Sequence, residues 1–224
     1  MPLRVEFCML SKPSGFWVRG DRESVMQPAF YDDVHQFWFG HLPDFNSFNE
    51  DRFSLWFGGT RDGEIVERFA TALSRAESDV VDVAALTPSQ QVGLVILLDQ
   101  FPRSIFRGLA KSYAYDERAR AAVHIATTEG MRPFKLLERA FLTICLAHSE
   151  HLSDQECASR HFRDDIGPFA PPDNRFYEGG RIQTAKYLDI IRNFGRFPHR
   201  NPILGRETTA EEAQFLSVNK MPPF

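Results

Sequence analysis

Residues 87–103 have the sequence TPSQQVGLVILLDQFPR, which decides between helix and strand for the centre of the chain. The first four residues combine a threonine able to cap a helix, a proline at the first helical position and a glutamine, Gln90, three residues after the cap. By periodicity alone, the apolar run 92–98 suits a buried strand or a buried helix. The capping residues favour the helix. Because Pro102 disfavours helical backbone at the residue before it, we predict that the helix ends near Asp99.

In the segments on both sides of this helix, apolar residues also recur at helical intervals. Asp62 is predicted to cap a helix with one apolar stripe, and Thr209 with Glu212 forms a capping box before the last helix. No alternating strand pattern competes with these interpretations, so the predicted fold class is all-α, with antiparallel stacked helices joined by short corners. Residues 1–27 show no sustained periodicity. The predicted organisation is therefore an irregular N-terminal lead-in over 1–27 and a single all-helical domain over 28–224.

The amino-acid composition and net charge of the chain argue against several classes of function. The chain has 224 residues, of which 43% are hydrophobic and 25% charged, as expected for one large core. A net charge of -4 argues against a nucleic-acid binder or a protein of anionic membrane surfaces, and no stretch approaches the ~20 apolar residues of a membrane span. The three cysteines, Cys8, Cys145 and Cys157, lack metal-ligand or CxxC spacing, which favours reduced thiols. We therefore expect a cytoplasmic protein that binds neither nucleic acid nor membrane.

Three predicted helix ends carry more polar chemistry than simple connectors need; we call 99–107 the first corner, 148–151 the second and 194–202 the third. Their arginines offer planar, permanently charged groups suited to carboxylate or phosphate. His148 and Glu150 of the second corner are an acid/base pair suited to proton transfer near neutral pH. The candidate substrate-binding residues are Asp99, Gln100, Arg103, Arg107, Arg196, His199, Arg200 and Asn201.

A structural interpretation of the same corners stays open. Asp99, Asp116 and Glu150 could each pair with an arginine and lock the corners through partly buried ion pairs. The competing hypothesis is then a non-catalytic, helical-repeat-like interaction module whose Phe- and Trp-rich helices present an apolar groove to a peptide or to a second copy in a homodimer. The 21 phenylalanines could line a ligand cavity, although packing in a helical core is their commoner use.

Metal and cofactor motifs receive little support from the sequence. His148 and His151 are three residues apart and could both reach a metal, yet no HExxH or paired-cysteine spacing accompanies them. Ser149 lacks the GxSxG context of a nucleophile elbow. No GxGxxG or phosphate-binding loop occurs. We therefore predict no metal and no cofactor.

Several short strings together resemble an uncharacterised, mostly bacterial family catalogued as domain of unknown function 924. They are FWFG at 37–40, LLDQFPR at 97–103, FRG at 106–108, Asp116, HSE at 148–150 with Gln155, FGRFPHRN at 194–201 and LGR at 204–206. The resemblance implies an all-helical, tetratricopeptide-repeat-like fold and no established activity. This chain departs from the family pattern at Ser104, where asparagine is usual, at Cys145, where proline is, at Ala84, where tryptophan is, and at Tyr187, where a histidine is.

Of these departures, the tyrosine at position 187 in place of a histidine has the most direct consequence for proton transfer. A phenol with a pKa near ~10 replaces an imidazole that titrates near neutral pH. The leading hypothesis is a soluble protein with a pocket for an anionic small molecule, carboxylate or phosphate. If the protein is an enzyme, we expect cofactor-independent acid/base chemistry of specialised metabolism, with His148, Glu150 and Tyr187 as the candidate catalytic residues.

Overall fold

The computed structural model describes residues 26–40, 50–172 and 174–219, and within these ranges it contains ten α-helices and no strand. The predicted all-α class is confirmed. The lead-in predicted over 1–27 lies outside the described residues, apart from Met26 and Gln27. The helices are α1 (Pro28–Phe39), α2 (Glu50–Phe57), α3 (Asp62–Ala76), α4 (Pro88–Ile105), α5 (Asp116–Ala126), α6 (Leu136–Ala147), α7 (Leu152–His161), α8 (Arg175–Phe194), α9 (Asn201–Leu204) and α10 (Ala210–Val218).

Helix α4 lies at the centre of the molecule, packed against α1, α3, α5 and α6. The predicted capping box is present: the Gln90 amide donates to Thr87 Oγ1 at 3.4 Å, and the Thr87 amide donates to Gln90 Oε1 at 3.1 Å. Every residue from Gln91 to Arg103 is buried. At Gly93 the backbone of α1 approaches so closely that an added Cβ would lie 2.0 Å from the Tyr31 carbonyl oxygen.

The predicted end of α4 near Asp99 is wrong, because the helix continues through Pro102 to Ile105. A proline this close to the C-terminus removes one donor but keeps its carbonyl, which accepts from the Phe106 amide at 2.9 Å. In addition, Arg103 Nη1 donates to the Asp99 carbonyl oxygen at 2.6 Å. Asp99 and Arg103 therefore lie one helical turn apart on the same face.

Aromatic rings from α1, α2, α4, α6 and α8 pack against one another. The Trp38 ring makes edge contacts with Phe101 and Phe141, with centroid distances of 5.8 and 5.6 Å. Trp56 contacts Phe141 at 5.0 Å and Phe176 at 5.7 Å. Three of these rings, those of Trp38, Trp56 and Phe176, also line a cavity described below.

At the other helix ends for which the sequence predicts a cap, the cap is present, except at Asp62. Asp62 is the first residue of α3 and makes no capping hydrogen bond, so its predicted capping role is wrong; its carboxylate pairs with Arg107 instead. The second predicted box is present, since the Glu212 amide donates to Thr209 Oγ1 at 3.2 Å. Gly195 ends α8 in the left-handed conformation, with φ of 67°. Among the described helices, none has the length and apolar character that crossing a membrane requires.

Candidate functional site

A cavity of about 420 Å³ lies between α1, α2, α4, α6 and α8. Its volume falls in the range of small-molecule sites. Apolar and aromatic side chains make up most of the wall: Trp38, Phe53, Leu55, Trp56, Phe57, Ile144, Ala147 and Phe176. The polar side chains that line it are Gln100, Arg103, Ser104, Arg107, His148, Arg175, Gln183, Thr184 and Tyr187.

A buried Asp–His pair joins α4 to the end of α6 at this cavity. His148 Nδ1 lies 2.8 Å from Asp99 Oδ1 and 3.0 Å from Oδ2, and Gln100 Nε2 donates to Oδ2 of the same carboxylate. Asp99 is 1% and His148 6% exposed. The first and second corners therefore meet at one wall of the cavity.

At neutral pH Asp99 is charged, whereas His148 is neutral. Burial raises the pKa of Asp99, but the charge of Arg103 and the hydrogen bond from His148 outweigh burial and lower it, so this carboxyl is ionised. Burial and the nearby Arg103 lower the pKa of His148 below its usual range, so the imidazole is neutral at pH 7. Because the carboxylate can only accept, the imidazole proton lies on Nδ1 and the basic lone pair on Nε2.

Arg103 is held between two carboxylates. Its Nη1 lies 3.1 Å from Asp99 Oδ1, and its Nη2 donates to Asp116 Oδ2 at 3.0 Å. Burial tends to lower the pKa of this guanidinium, but both carboxylates outweigh burial and raise it, so the charge is permanent. The Arg103 side chain is only 9% exposed, and its buried Nε has no hydrogen-bond partner among the described residues.

Two further arginines line the cavity from more exposed positions. Arg107 donates to Asp62 at 2.7 Å, and half of its side chain is exposed. Arg175, the first residue of α8, is exposed and makes no ion pair with the described residues. Sequence inspection missed Arg175 because no spacing connects it with the three corners.

Glu150, predicted to transfer protons with His148, does not line the cavity. Its Oε1 accepts from the Phe197 amide at 2.7 Å, and both of its oxygens accept from Arg206. Burial raises the pKa of Glu150, but the bonds from Arg206 and Phe197 outweigh burial and lower it. This carboxylate therefore ties the second corner to the third.

The third corner is likewise held by ion pairs. Arg196 forms a two-point contact with Glu212, at 2.7 and 2.9 Å, and Asn201 donates to the same carboxylate at 3.0 Å. Arg200 is 3% exposed and lies 3.6 Å from Asp116, the carboxylate that also binds Arg103. None of these residues lines the cavity.

Two other candidates from the sequence lie around this corner. The His199 ring is 5.5 Å from that of Phe197, and burial lowers the pKa of His199 to about 4. Tyr187 lines the cavity from α8 and packs edge-on against Phe197 at 5.0 Å. Burial raises the pKa of Tyr187 above its usual range, so the phenol stays protonated.

Of the predicted site residues, the cavity wall brings together Gln100, Arg103, Arg107, His148 and Tyr187, with Asp99 directly behind His148. The sequence left open whether the phenylalanines line a cavity or fill the core, and the particular rings of the wall could not be predicted because the same residue types serve equally in both places. No group of three His, Cys, Asp or Glu side chains suited to a metal occurs within the described part of the chain.

Fold and site together define an all-helical protein with a ligand-sized aromatic cavity and a buried Asp–His pair at its wall. The chain belongs to the family described as "Bacterial protein of unknown function (DUF924)", whose model matches residues 34–219. It is also similar to the solved structure of a protein of unknown function, ATU0120, from Agrobacterium tumefaciens. The two are 30% identical, the match covers 85% of this chain and 98% of that one, and the TM-score is 0.66. Comparison with curated proteins finds no match.

Proposed function

We propose that the cavity binds a small anion with an aromatic or apolar body, and that His148, oriented by Asp99, accepts a proton from it. The observation that carries this proposal is the 2.8 Å contact between His148 Nδ1 and Asp99, at the wall of an aromatic cavity and next to Arg103. A neutral imidazole whose other nitrogen is held by a carboxylate is the usual arrangement of a general base.

The wall composition supports this class of ligand. Rings of Trp38, Trp56 and Phe176 offer stacking and edge contacts to an apolar body. Arg175 supplies a cation without an ion-pair partner among the described residues, and Arg103 adds a second positive charge at the cavity wall. A carboxylate or phosphate head group matches both.

The protonation states support the base role of His148. Asp99 stabilises the imidazolium that would form on proton uptake, while burial and the charge of Arg103 lower the pKa of His148 and keep the imidazole of the free protein neutral. Tyr187, protonated at neutral pH, can donate a hydrogen bond to a bound oxygen. Glu150 has no part in this mechanism, because both of its oxygens accept bonds within the fold.

The binding half of the proposal can be tested with phenylacetate and phenyl phosphate, using benzyl alcohol as a neutral analogue. Trp38 and Trp56 lie in the wall, so ligand entry should change tryptophan fluorescence. We expect either anion to bind at least about 10-fold more tightly than the alcohol, since a charge-assisted contact contributes about 1.4 kcal/mol or more.

Arg175→Gln and Arg181→Gln form a matched pair of variants for this titration. Both arginines are exposed residues of α8, but Arg181 pairs with Glu178 and does not line the cavity. Arg175→Gln should weaken anion binding by about 10-fold, and Arg181→Gln should leave it unchanged. Equal behaviour of the two variants, or no preference for the anions, would contradict an anion site.

One observation favours the second candidate, an interaction module with structural arginine corners. Arg196 and Arg206 are each paired with a carboxylate inside the fold, so the third corner is a lock between α8, α9 and α10. If all three probes leave the fluorescence unchanged at millimolar concentration, the interaction module becomes the better-supported candidate. The molecular mass of the protein in solution would then show whether its partner is a second copy of the chain.

A further inference from the structure

A second cluster of reactive groups lies outside the cavity, in α7 and the π-helical turn Phe162–Ile166 that follows it. Cys157, His161 and Asp165 are spaced four residues apart, so successive turns bring them together. Cys157 Sγ lies 3.2 Å from His161 Nε2, and His161 Nδ1 lies 2.7 Å from Asp165 Oδ2. The imidazole thus joins thiol and carboxylate through its two opposite nitrogens.

We propose that Cys157 is a reactive thiol site, held as a thiolate by His161 and Asp165, that attacks small electrophiles and in particular peroxides. A sulfur–imidazole–carboxylate series is the arrangement that activates cysteine nucleophiles. It is independent of the cavity proposed above, because none of the three residues lines that cavity.

The electrostatics of the cluster agree with its geometry. Burial raises the pKa of the Cys157 thiol, but the hydrogen bond and charge of His161 outweigh burial and lower it, with a smaller contribution from Arg160. For His161, burial lowers the pKa, whereas the bonds to Asp165 and Cys157 raise it to about 9. At neutral pH His161 is therefore protonated, and its ring donates to both neighbours.

The exposure of the cluster limits the size of its reaction partner. Cys157 is 8% exposed, while the side chains of His161 and Asp165 are 13% and 37% exposed. A peroxide or a small alkylating agent can reach such a sulfur, whereas a bulky acyl substrate cannot. Cys145 offers an internal contrast: it is 2% exposed, and burial raises the pKa of its thiol well above the usual value.

The reaction with a peroxide balances within the cluster. The thiolate sulfur attacks one peroxide oxygen, the S–O bond forms and the O–O bond breaks. The hydroxide that leaves takes the proton from the His161 imidazolium and becomes water. Cys157 is oxidised to a sulfenic acid, the peroxide is reduced, and His161 returns to its neutral form.

The direct test compares cysteines within the folded full-length chain at about pH 6.5, where an ordinary thiol with a pKa of ~8.5 is only ~1% thiolate. Iodoacetamide labelling is followed by peptide mass spectrometry, which reports each cysteine separately. A second sample receives hydrogen peroxide with dimedone, which traps sulfenic acids. We expect Cys157 to react at least about 10-fold faster than Cys145 and to carry the dimedone adduct.

Variants show whether His161 is responsible. His161→Gln should slow labelling of Cys157 by about 10-fold and Asp165→Asn by less, whereas His151→Gln, at an exposed histidine beside α7, should change nothing. Thiolates absorb in the ultraviolet, so the absorbance of the wild-type chain minus that of Cys157→Ser measures how much of the Cys157 sulfur is ionised. This measurement does not depend on how easily a reagent reaches the sulfur, nor on whether the His161 variant folds. A Cys157 that labels no faster than Cys145, lacks the adduct, or contributes no thiolate absorbance would overturn the proposal.

Discussion

At the scale of single residues, the chemistry of the cavity depends on where the His148 proton lies. Asp99 is buried and ionised, and its carboxylate can only accept from Nδ1. The same carboxylate contacts Arg103, whose charge opposes protonation of the imidazole. Besides burial, two residues of α4, Asp99 and Arg103, therefore govern the protonation state of His148.

We predict that His148 is a neutral imidazole with its proton on Nδ1. Nitrogen-15 NMR of labelled histidine should show this tautomer at neutral pH, without the titration near pH ~6.5 of an ordinary histidine. Its pKa is lowered, so protonation should begin only at more acidic pH. An imidazolium at pH 7, or a proton on Nε2, would exclude the proposed base.

Residue type and residue role are separate properties at this site. The side-chain chemistry of His148, Arg103 and Asp99 is enough to mark them as candidates in the sequence. Their roles do not follow from type, because Glu150 has the same acidic chemistry as Asp99 but is occupied by Arg206 and the Phe197 amide. Asp99, the carboxylate that orients His148, lies 49 residues away from it in the chain.

At the scale of helices, α1 and α4 pack with their backbones close together. Gly93 faces the Tyr31 carbonyl oxygen, and an added Cβ would lie 2.0 Å from it. Trp38 of α1 and Gln100 and Arg103 of α4 all line the cavity. Spacing between these two helices therefore influences the shape of the site.

We predict that Gly93→Ala destabilises the protein, although alanine is the better helix former by about 1 kcal/mol. The backbone oxygen of Tyr31 cannot move without shifting α1, so a net loss of about 1–3 kcal/mol is expected. Gly179→Ala in α8 is the matched control, since its added Cβ meets nothing within 4 Å, and it should stabilise by about 0.5–1 kcal/mol. Urea unfolding measures both. A Gly93→Ala protein as stable as the control would mean that α1 and α4 are less closely packed.

Some helix boundaries can be predicted from neighbouring residues in the sequence, and others cannot. The boxes at Thr87 and Thr209 were predictable because their bonds join residues three apart. The end of α4 was not predictable in this way. The helix continues through Pro102 because it is buried against other helices and because the Arg103 side chain bonds the Asp99 carbonyl. That extra turn is what brings Arg103 beside Asp99.

At the scale of the whole molecule, carboxylates connect the three corners. Asp116 contacts both Arg103 and Arg200, and Glu150 joins the second corner to the third. Glu212 of α10 binds Arg196 and Asn201 and closes the C-terminal part of the fold. The corners thus meet in space, but only the first two reach the cavity.

We predict that the Arg196–Glu212 contact makes stability fall in acid. The hydrogen bond from Arg196 lowers the pKa of Glu212 from 4.5 to about 2. A lowered carboxyl pKa contributes stability that is present above about pH 4.5 and is lost as the pH falls towards 2. Glu212→Gln should cost about 1–3 kcal/mol at neutral pH and flatten the decline of the unfolding free energy below pH 4.5.

Glu67→Gln is the control for this measurement, because Glu67 is exposed and makes no ion pair with the described residues. Its effect should stay within about 0.5 kcal/mol at every pH. Unfolding in urea between neutral and acidic pH gives both profiles. Parallel profiles for wild type and Glu212→Gln would show that this contact does not govern acid stability.

The sequence by itself determined the all-α class, the capping boxes, the family and the residue types that carry chemistry. These depend on hydrogen bonds and periodicity within a few residues, or on strings that can be recognised directly. Only the tertiary structure decided that His148 pairs with Asp99, that Glu150 and Arg196 act within the fold, and that Arg175 belongs to the cavity. The physical reason is that an ion pair or a cavity wall is made by residues far apart in the chain, whose distances are set by the packing of helices.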